Sequence, residues 1–326
     1  MEYLRRYRVC ILLALAVVPL YFLYIYDLSG NPPGFYVDET LSSFNAYQIV
    51  TAGHGEYGHS WPLYFPVLRI PGGDFEGYLD PVQVYALAGL FSIFGPGTLL
   101  PRLLSATAIF LASILLGVLG KQISGRSGVG IITAVTALLT PWLFEISRPA
   151  FGASLYPFVI VLFLLFLHAA QKRERWLLWN ILLLAFGLAL CTYTYAIGRL
   201  LGPILAFGLI LFATNRDRFK DVLKVWLAYG VTLIPLLVFH LNNTDALAGR
   251  FSNAVGIVAK NRGFKIAEVF IANFAENVNP LRLLLTGDPI LRHHITDTGP
   301  ILAATFILAV AGIAIAIKKH RNDPWW

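Results

Sequence analysis

The chain has 326 residues, of which 57% are hydrophobic and only 13% charged, with 25 Lys and Arg against 18 Asp and Glu and a formal net charge of +7. Soluble domains carry about a quarter charged residues, so these proportions, with a mean hydropathy of +0.67, indicate an integral membrane protein and exclude disordered, fibrous and disulfide-framed secreted classes. A pI near 9.4 would suggest nucleic acid for a soluble protein. Here the basic residues fall in short clusters between apolar runs, where they orient a polytopic chain, and no nucleic-acid partner is expected.

A bilayer core about 30 Å thick takes about 20 apolar residues per helix. Eight runs fit that requirement, at residues 9–26, 101–120, 128–146, 150–170, 176–195, 198–213, 222–240 and 298–317. The expected fold class is therefore all-α, a polytopic bundle of about eight transmembrane helices forming one module over residues 1–326 with no soluble domain. The first run follows Arg5, Arg6 and Arg8, contains Pro19, Tyr21 and Tyr24, and lacks a small-residue cleavage site, so it is expected to be a retained span and not a signal peptide. Four further basic clusters lie between or after runs: Lys121 with Arg126; Lys172, Arg173 and Arg175; Arg216, Arg218, Lys220 and Lys224; Lys318, Lys319 and Arg321. All can be cytoplasmic only if eight spans cross with both termini inside. The apolar stretch from Val82 to Phe94, which ends at Gly95-Pro96-Gly97, is too short to cross and is expected to be a juxtamembrane or re-entrant helix on the outer side. Cys10 and Cys191 lie in or beside apolar runs without metal or redox spacing and are expected to pack.

This topology leaves residues 27–100 and 241–297 as two long outer loops, so chemistry is expected on the extracytoplasmic face. Residues 27–80 hold seven acids against one base. Asp38 and Glu39 open a segment, 39–52, with helical spacing of Leu41, Phe44, Tyr47 and Ile49. Asp is a favoured helix cap, so Asp38 has a purely structural reading. The functional reading is a general base, because a carboxylate beside an apolar wall has its pKa raised and can take a proton from an acceptor hydroxyl. Neighbours on a helix point about 100° apart, so one of the pair serves as base while the other orients it or holds a cation. In the second loop Arg292, His293 and His294, with Arg282 upstream, gather donors suited to phosphate; their plainer reading is as side chains that snorkel to head groups. Adjacent His residues point apart and His54, His59 and His240 form no spaced set, so no metal site is expected. Arg102, Arg148 and Arg199 fall at outer ends of spans. Trp61, Tyr193 and Tyr195 are outer-interface aromatics, either belt residues or sugar-stacking ones.

These residues, in order, carry a resemblance. Asp38-Glu39, the Trp61–Phe65 run, Gly77-Tyr78 with Asp80-Pro81 and Tyr85, Pro101-Arg102, Ser147-Arg148, Tyr193-Thr194-Tyr195 with Arg199, and Gly287-Asp288 through Arg292-His293-His294 resemble the protein O-mannosyltransferase-like membrane glycosyltransferases of the GT-C superfamily, which includes the aminoarabinose transferase of lipid A. The resemblance spans about residues 36–300. It implies an inverting hexosyl or pentosyl transferase that takes a sugar from a polyprenyl-phosphate carrier on the outer face of the plasma membrane and gives it to a lipid, glycan or protein acceptor. It implies Asp38, of the Asp38-Glu39 pair, as base and Arg292, with His293 and His294, at the carrier phosphate. From their own placement at the outer ends of spans, Arg102 and Arg148 are expected as further phosphate contacts, and Trp61, Tyr193, Tyr195 and Arg199 as possible substrate contacts. No cofactor is required, although a divalent cation at Asp38 and Glu39 is compatible with the two carboxylates. Relatives often place a Lys just before the Pro of the first outer loop; here Leu79-Asp80 precede Pro81, so that contact is expected to be absent or supplied by another arginine. Many relatives also continue past this point, so the chain is expected to be a short form or a fragment. The alternative readings are a non-catalytic transporter or flippase of lipid-linked sugar and an inactive partner subunit.

Overall fold

The computed structural model describes residues 17–69, 75–243, 263–287, 298–320 and 323–325. In chain order the elements are α1 (17–25), α2 (Val37–Ala52), strands β1 (Phe65–Arg69) and β2 (Phe75–Leu79), α3 (Pro81–Phe94), α4 (Leu99–Ser124), α5 (Ser127–Leu138), α6 (Pro141–Ser147), α7 (Gly152–Gln171), α8 (Leu178–Thr194), α9 (Gly198–Gly208) with a 3₁₀ turn to Phe212, α10 (Arg216–Asn242), α11 (Gly263–Asn277), a π-turn (Arg282–Thr286) and α12 (Ala303–Lys319). Each of the eight apolar runs is thus helical over most of its described part. Among the described residues three helices, α4, α7 and α10, are long and apolar enough by themselves to cross a bilayer, and α5 with α6 makes a fourth as a bent pair. The remaining runs form shorter apolar helices. Pro141 sets the bend: it occupies the first turn of α6, where a missing N–H costs nothing, and the two helices meet at 59°.

The two expected juxtamembrane helices are present as α2 and α3. Between them is a feature absent from the sequence reading, a two-stranded antiparallel hairpin with Phe65 opposite Leu79 and Val67 opposite Gly77. A pair of strands is marginal alone. This one is held because Phe65 is buried with Ala46, Ile49, Val84 and Leu87, so the hairpin, α2 and α3 share one small core.

The main core lies between α7, α8, α10 and the end of α9, where Phe163, Leu184, Leu188, Val222 and Val225 are buried together. A second cluster joins Tyr24 of α1 to Ile109 and Phe110 of α4 and to Leu138. α12 buries none of its residues, as fits a helix whose apolar side chains face lipid.

The first turn of α4 and the chain just before α7 meet at the same carboxylate, as described below, so these helices run parallel. Their C-terminal ends, with Lys121 and with Lys172, Arg173 and Arg175, therefore lie at one end of the bundle. α10 starts at that end, because Trp176 N donates to Asp221 (2.9 Å) and Arg218 donates to the carbonyls of Arg173 and Glu174. The tail after α12 returns there too: the Trp325 ring packs at 5.2 Å against both His168 and Phe212. The described members of the four basic clusters are thus collected at one end, while Arg102, Arg148 and Arg199 are at the other.

α4 and α5 pack backbone to backbone through glycine. A Cβ on Gly117 would lie 2.6 Å from the Gly130 carbonyl oxygen and from Ala134 Cβ, whereas one on Gly128 would meet nothing within 4 Å. Gly117→Ala should therefore force the helices apart and cost about 1–3 kcal/mol, the usual range for overpacking. Gly128→Ala should leave the unfolding temperature in detergent unchanged or slightly raised. Equal unfolding temperatures for the two variants would contradict the close crossing.

Candidate active site

Glu39 and Arg102 form the centre of the end opposite the basic clusters. Both are buried, at 0% and 2% exposure. Arg102 Nε donates to Glu39 Oε1 (2.8 Å) and Nη2 donates to Oε2 (3.0 Å), a bidentate fork. The two carboxylate oxygens also accept from Ala150 N (3.0 Å) and Tyr36 N (2.9 Å). Arg102 Nη1 donates to the carbonyls of Leu28 (2.8 Å) and Pro32 (2.9 Å), and Nη2 to that of Gly34. All five guanidinium N–H donors are used. Burial by itself raises the Glu39 carboxyl; the hydrogen bonds from Arg102, Tyr36 and Ala150, with the Arg102 charge, outweigh it and hold the group below its ordinary value.

Arg148 completes the clamp. It is buried, its Nε and Nη2 donate to Asn31 O, Nη1 donates to Tyr24 O, and Nη2 also reaches the carbonyls of Tyr26 and Asp27 at 2.8–3.2 Å. The turn after α1 is thus stapled by two arginines that expose almost none of their surface. All five Arg102 donors and all but one of the Arg148 donors are engaged by Glu39 and backbone carbonyls, which argues against the expected contact of these two arginines with a carrier phosphate. Four N–H donors likewise fill the Glu39 oxygens, which argues against its serving as a base or a cation ligand.

Asp38 is in a different environment. The helix starts two residues earlier than expected, at Val37, with Tyr36 as its N-cap, so Asp38 lies inside the first turn and does not cap it. It is half-buried, and its carboxylate has no hydrogen bond or ion pair among the described residues. A carboxylate in a first turn interacts favourably with the helix dipole without its oxygens being occupied.

A cleft of about 540 Å³ is lined by Trp142, Glu145, Phe151, Tyr195, Arg282 and Gly287 among others. The start of α2 reaches its wall: the Tyr36 ring meets the Phe151 ring edge-on at 6.1 Å, and Glu39 accepts from Ala150 N, which lies between the lining residues Pro149 and Phe151. Gln83 of α3 fixes the same turn by donating to Ala150 O (2.6 Å). Arg282 bonds Glu276 at 2.8 Å across the second loop. Tyr195 is partly exposed in the cleft, and its ring packs edge-on against Tyr156 at 6.3 Å.

The other candidates are further from the cleft. Arg199 pairs with Asp80 (3.3 Å) and stands 5.4 Å from the Tyr64 ring centre. Burial pushes the Tyr64 hydroxyl well above its ordinary value, so it stays protonated. Tyr193 donates to Thr232 O (2.7 Å), a structural tie to α10. Trp61 is largely exposed and lies parallel to Tyr85 at 6.3 Å, an open aromatic face of the kind sugars stack on. Arg292, His293 and His294 lie outside the described residues.

Glu145 was not anticipated, yet the sequence held a signal for it. It is the one acid in any of the eight apolar runs, and an ionisable residue at membrane depth marks function by default. The bend at Pro141 is what turns α6, and Glu145 with it, into the cleft.

Residues 80–241 match the family model described as dolichyl-phosphate-mannose-protein mannosyltransferase. The matched stretch, α3 to α10, supports a mannosyltransferase-like glycosyltransferase of the GT-C type. It contains Arg102, Glu145, Arg148 and Tyr195, and it begins after Asp38 and Glu39. No curated protein and no solved structure matches the chain.

Glu39→Gln should leave the Arg102 charge buried without its counter-charge and destabilise the protein by about 3–5 kcal/mol at neutral pH. Because the Glu39 carboxyl is depressed in the folded state, its contribution is complete above its unfolded value of about 4.5 and is lost as pH falls through the lower folded one. Unfolding temperatures across acid pH should show that part of the acid-dependent fall in the wild type and not in Glu39→Gln. Glu39→Leu with Arg102→Met should recover stability relative to either single change.

Proposed function

We propose that the chain transfers a sugar from a polyprenyl-phosphate carrier to an acceptor hydroxyl on the extracytoplasmic face, with Asp38 as the general base. The observation that carries this reading is the division of labour between adjacent carboxylates. Glu39 is locked by Arg102 and by the 150–151 turn, whose Phe151 lines the cleft, while the adjacent Asp38 carboxylate has no partner among the described residues.

In the proposed step the acceptor oxygen attacks the anomeric carbon while its proton passes to Asp38. The bond from that carbon to the phosphate oxygen breaks, and the carrier departs as its phosphate. A single displacement inverts the anomeric centre. The leaving phosphate needs positive charge more than a proton; Arg282 lines the cleft, and Arg292, His293 and His294 follow Gly287 in sequence as the further donors of this reading. Tyr195 and Trp61 are the proposed sugar contacts. The acceptor is a lipid, glycan or protein hydroxyl.

The collection of basic clusters at one end supports the topology in which that end is cytoplasmic and the cleft extracytoplasmic. A transporter would need a polar path between the two ends, whereas the core between α7, α8 and α10 is apolar from Phe163 to Val225. That favours chemistry at one surface over translocation.

Asp38→Asn should lower turnover of a polyprenyl-phosphate sugar by about 10²–10⁴ while donor binding is retained, the usual effect of losing a general base. A panel of radiolabelled donors tested with purified protein measures both. Near-normal turnover by Asp38→Asn would end Asp38's role. For the topology, Ser60→Cys in a Cys-free background should react with an impermeant thiol reagent in intact cells and Asn215→Cys should not.

A further inference from the structure

The end of the bundle away from the cleft has a hollow of its own, with a volume of about 460 Å³. α7 has 20 residues, a rise of about 30 Å. Its N-terminal Ala153 lines the cleft and its C-terminal Gln171 lines this hollow, so the two sites are separated by the length of the helix. Lys172, Arg173, Arg175 and Arg218 line it, together with the acids Glu174 and Asp217.

Arg218 is 5% exposed. Its Nη2 donates to the carbonyls of Arg173 and Glu174, its guanidinium stands 5.2 Å from the Trp176 ring centre, and its Nε has no hydrogen-bond partner among the described residues. A buried N–H left without an acceptor is costly, and a ligand oxygen would relieve that cost. α10 begins at the same place. The Asn215 side chain accepts from Arg218 N (2.8 Å), and the positive end of a 27-residue helix opens on the hollow. Asp217 does not cancel the field, since it is already bonded to Arg175 (2.7 Å) and Lys220 (3.1 Å). Asp221, behind Arg218, is engaged by Trp176 N and by Lys224 Nζ (2.8 Å).

We propose that this hollow is a phosphate-binding site on the face opposite the candidate active site. A phosphate oxygen accepts from Arg218 Nε, and Lys172, Arg173 and Arg175 supply the surrounding charge. Basic pockets between helices on the cytoplasmic side suit anionic lipid head groups, and free phosphate carries the same chemistry. The site is separate from the donor-phosphate contacts proposed above and does not depend on them.

The test uses the purified full chain in detergent. Retained phosphatidylglycerol and phosphatidylcholine are counted by native mass spectrometry, and inorganic phosphate is titrated separately by calorimetry. Wild type should hold phosphatidylglycerol over phosphatidylcholine. Lys172→Gln with Arg173→Gln, both exposed positions, should weaken it roughly 25-fold, at about fivefold for each charge removed near the surface. Arg218→Lys keeps the charge and loses the Nε donor, so it should also weaken binding. Lys121→Gln with Arg126→Gln, a charge-matched change elsewhere at the same end, should have no effect. Binding of inorganic phosphate without phosphatidylglycerol selectivity, lost in the Lys172/Arg173 variant, would identify free phosphate as the source. Equal binding of both probes by wild type and that variant, or equal weakening by the Lys121/Arg126 control, would overturn the site.

Discussion

The active end of this protein depends on one buried ion pair. Glu39 and Arg102 come from helices α2 and α4, 63 residues apart in the chain, and neither could be buried alone, because an uncompensated charge in a low-dielectric interior is among the costliest arrangements a fold can contain. Their geometry avoids that cost by satisfying every donor and acceptor. Four N–H groups meet the carboxylate, and five acceptor contacts meet the guanidinium. The consequence is positional. The first turn of α2, the turn after α1, the start of α4 and the 150–151 turn are fixed to one another, and the cleft wall is part of that frame.

The same economy governs the rest of that end. A turn close to a membrane has backbone carbonyls that must find donors, and lipid offers none. Here Arg102 and Arg148 provide them for residues 24–34. Two arginines that would otherwise be attractive ligands for a phosphate are thereby engaged in holding the scaffold.

Charge is also segregated along the bundle. The described basic clusters collect at one end, with a polar hollow among them, while carboxylates and aromatics collect at the other. A distribution of this kind orients the chain in a bilayer and confines polar chemistry to its two surfaces, because the apolar core between α7, α8 and α10 offers no intermediate station.

Much of the architecture was legible in the sequence, and for a definite reason. Apolar runs, Pro and Gly breaks and clusters of Lys and Arg act locally and through the solvent, so they fix which segments are helical and which ends share a side whatever the neighbours do. The helices at 81–94 and 37–52 follow from run length and spacing in the same way. The hairpin at 65–79 did not show, since it exists only through the core that Phe65 shares with α2 and α3. Which acid of the Asp38-Glu39 pair is buried, and whether Arg102 and Arg148 are ligands or staples, also lay beyond the sequence. Those outcomes are decided by which carbonyl or carboxylate comes within 3 Å of a guanidinium when distant segments pack, and composition and periodicity carry no information about that distance.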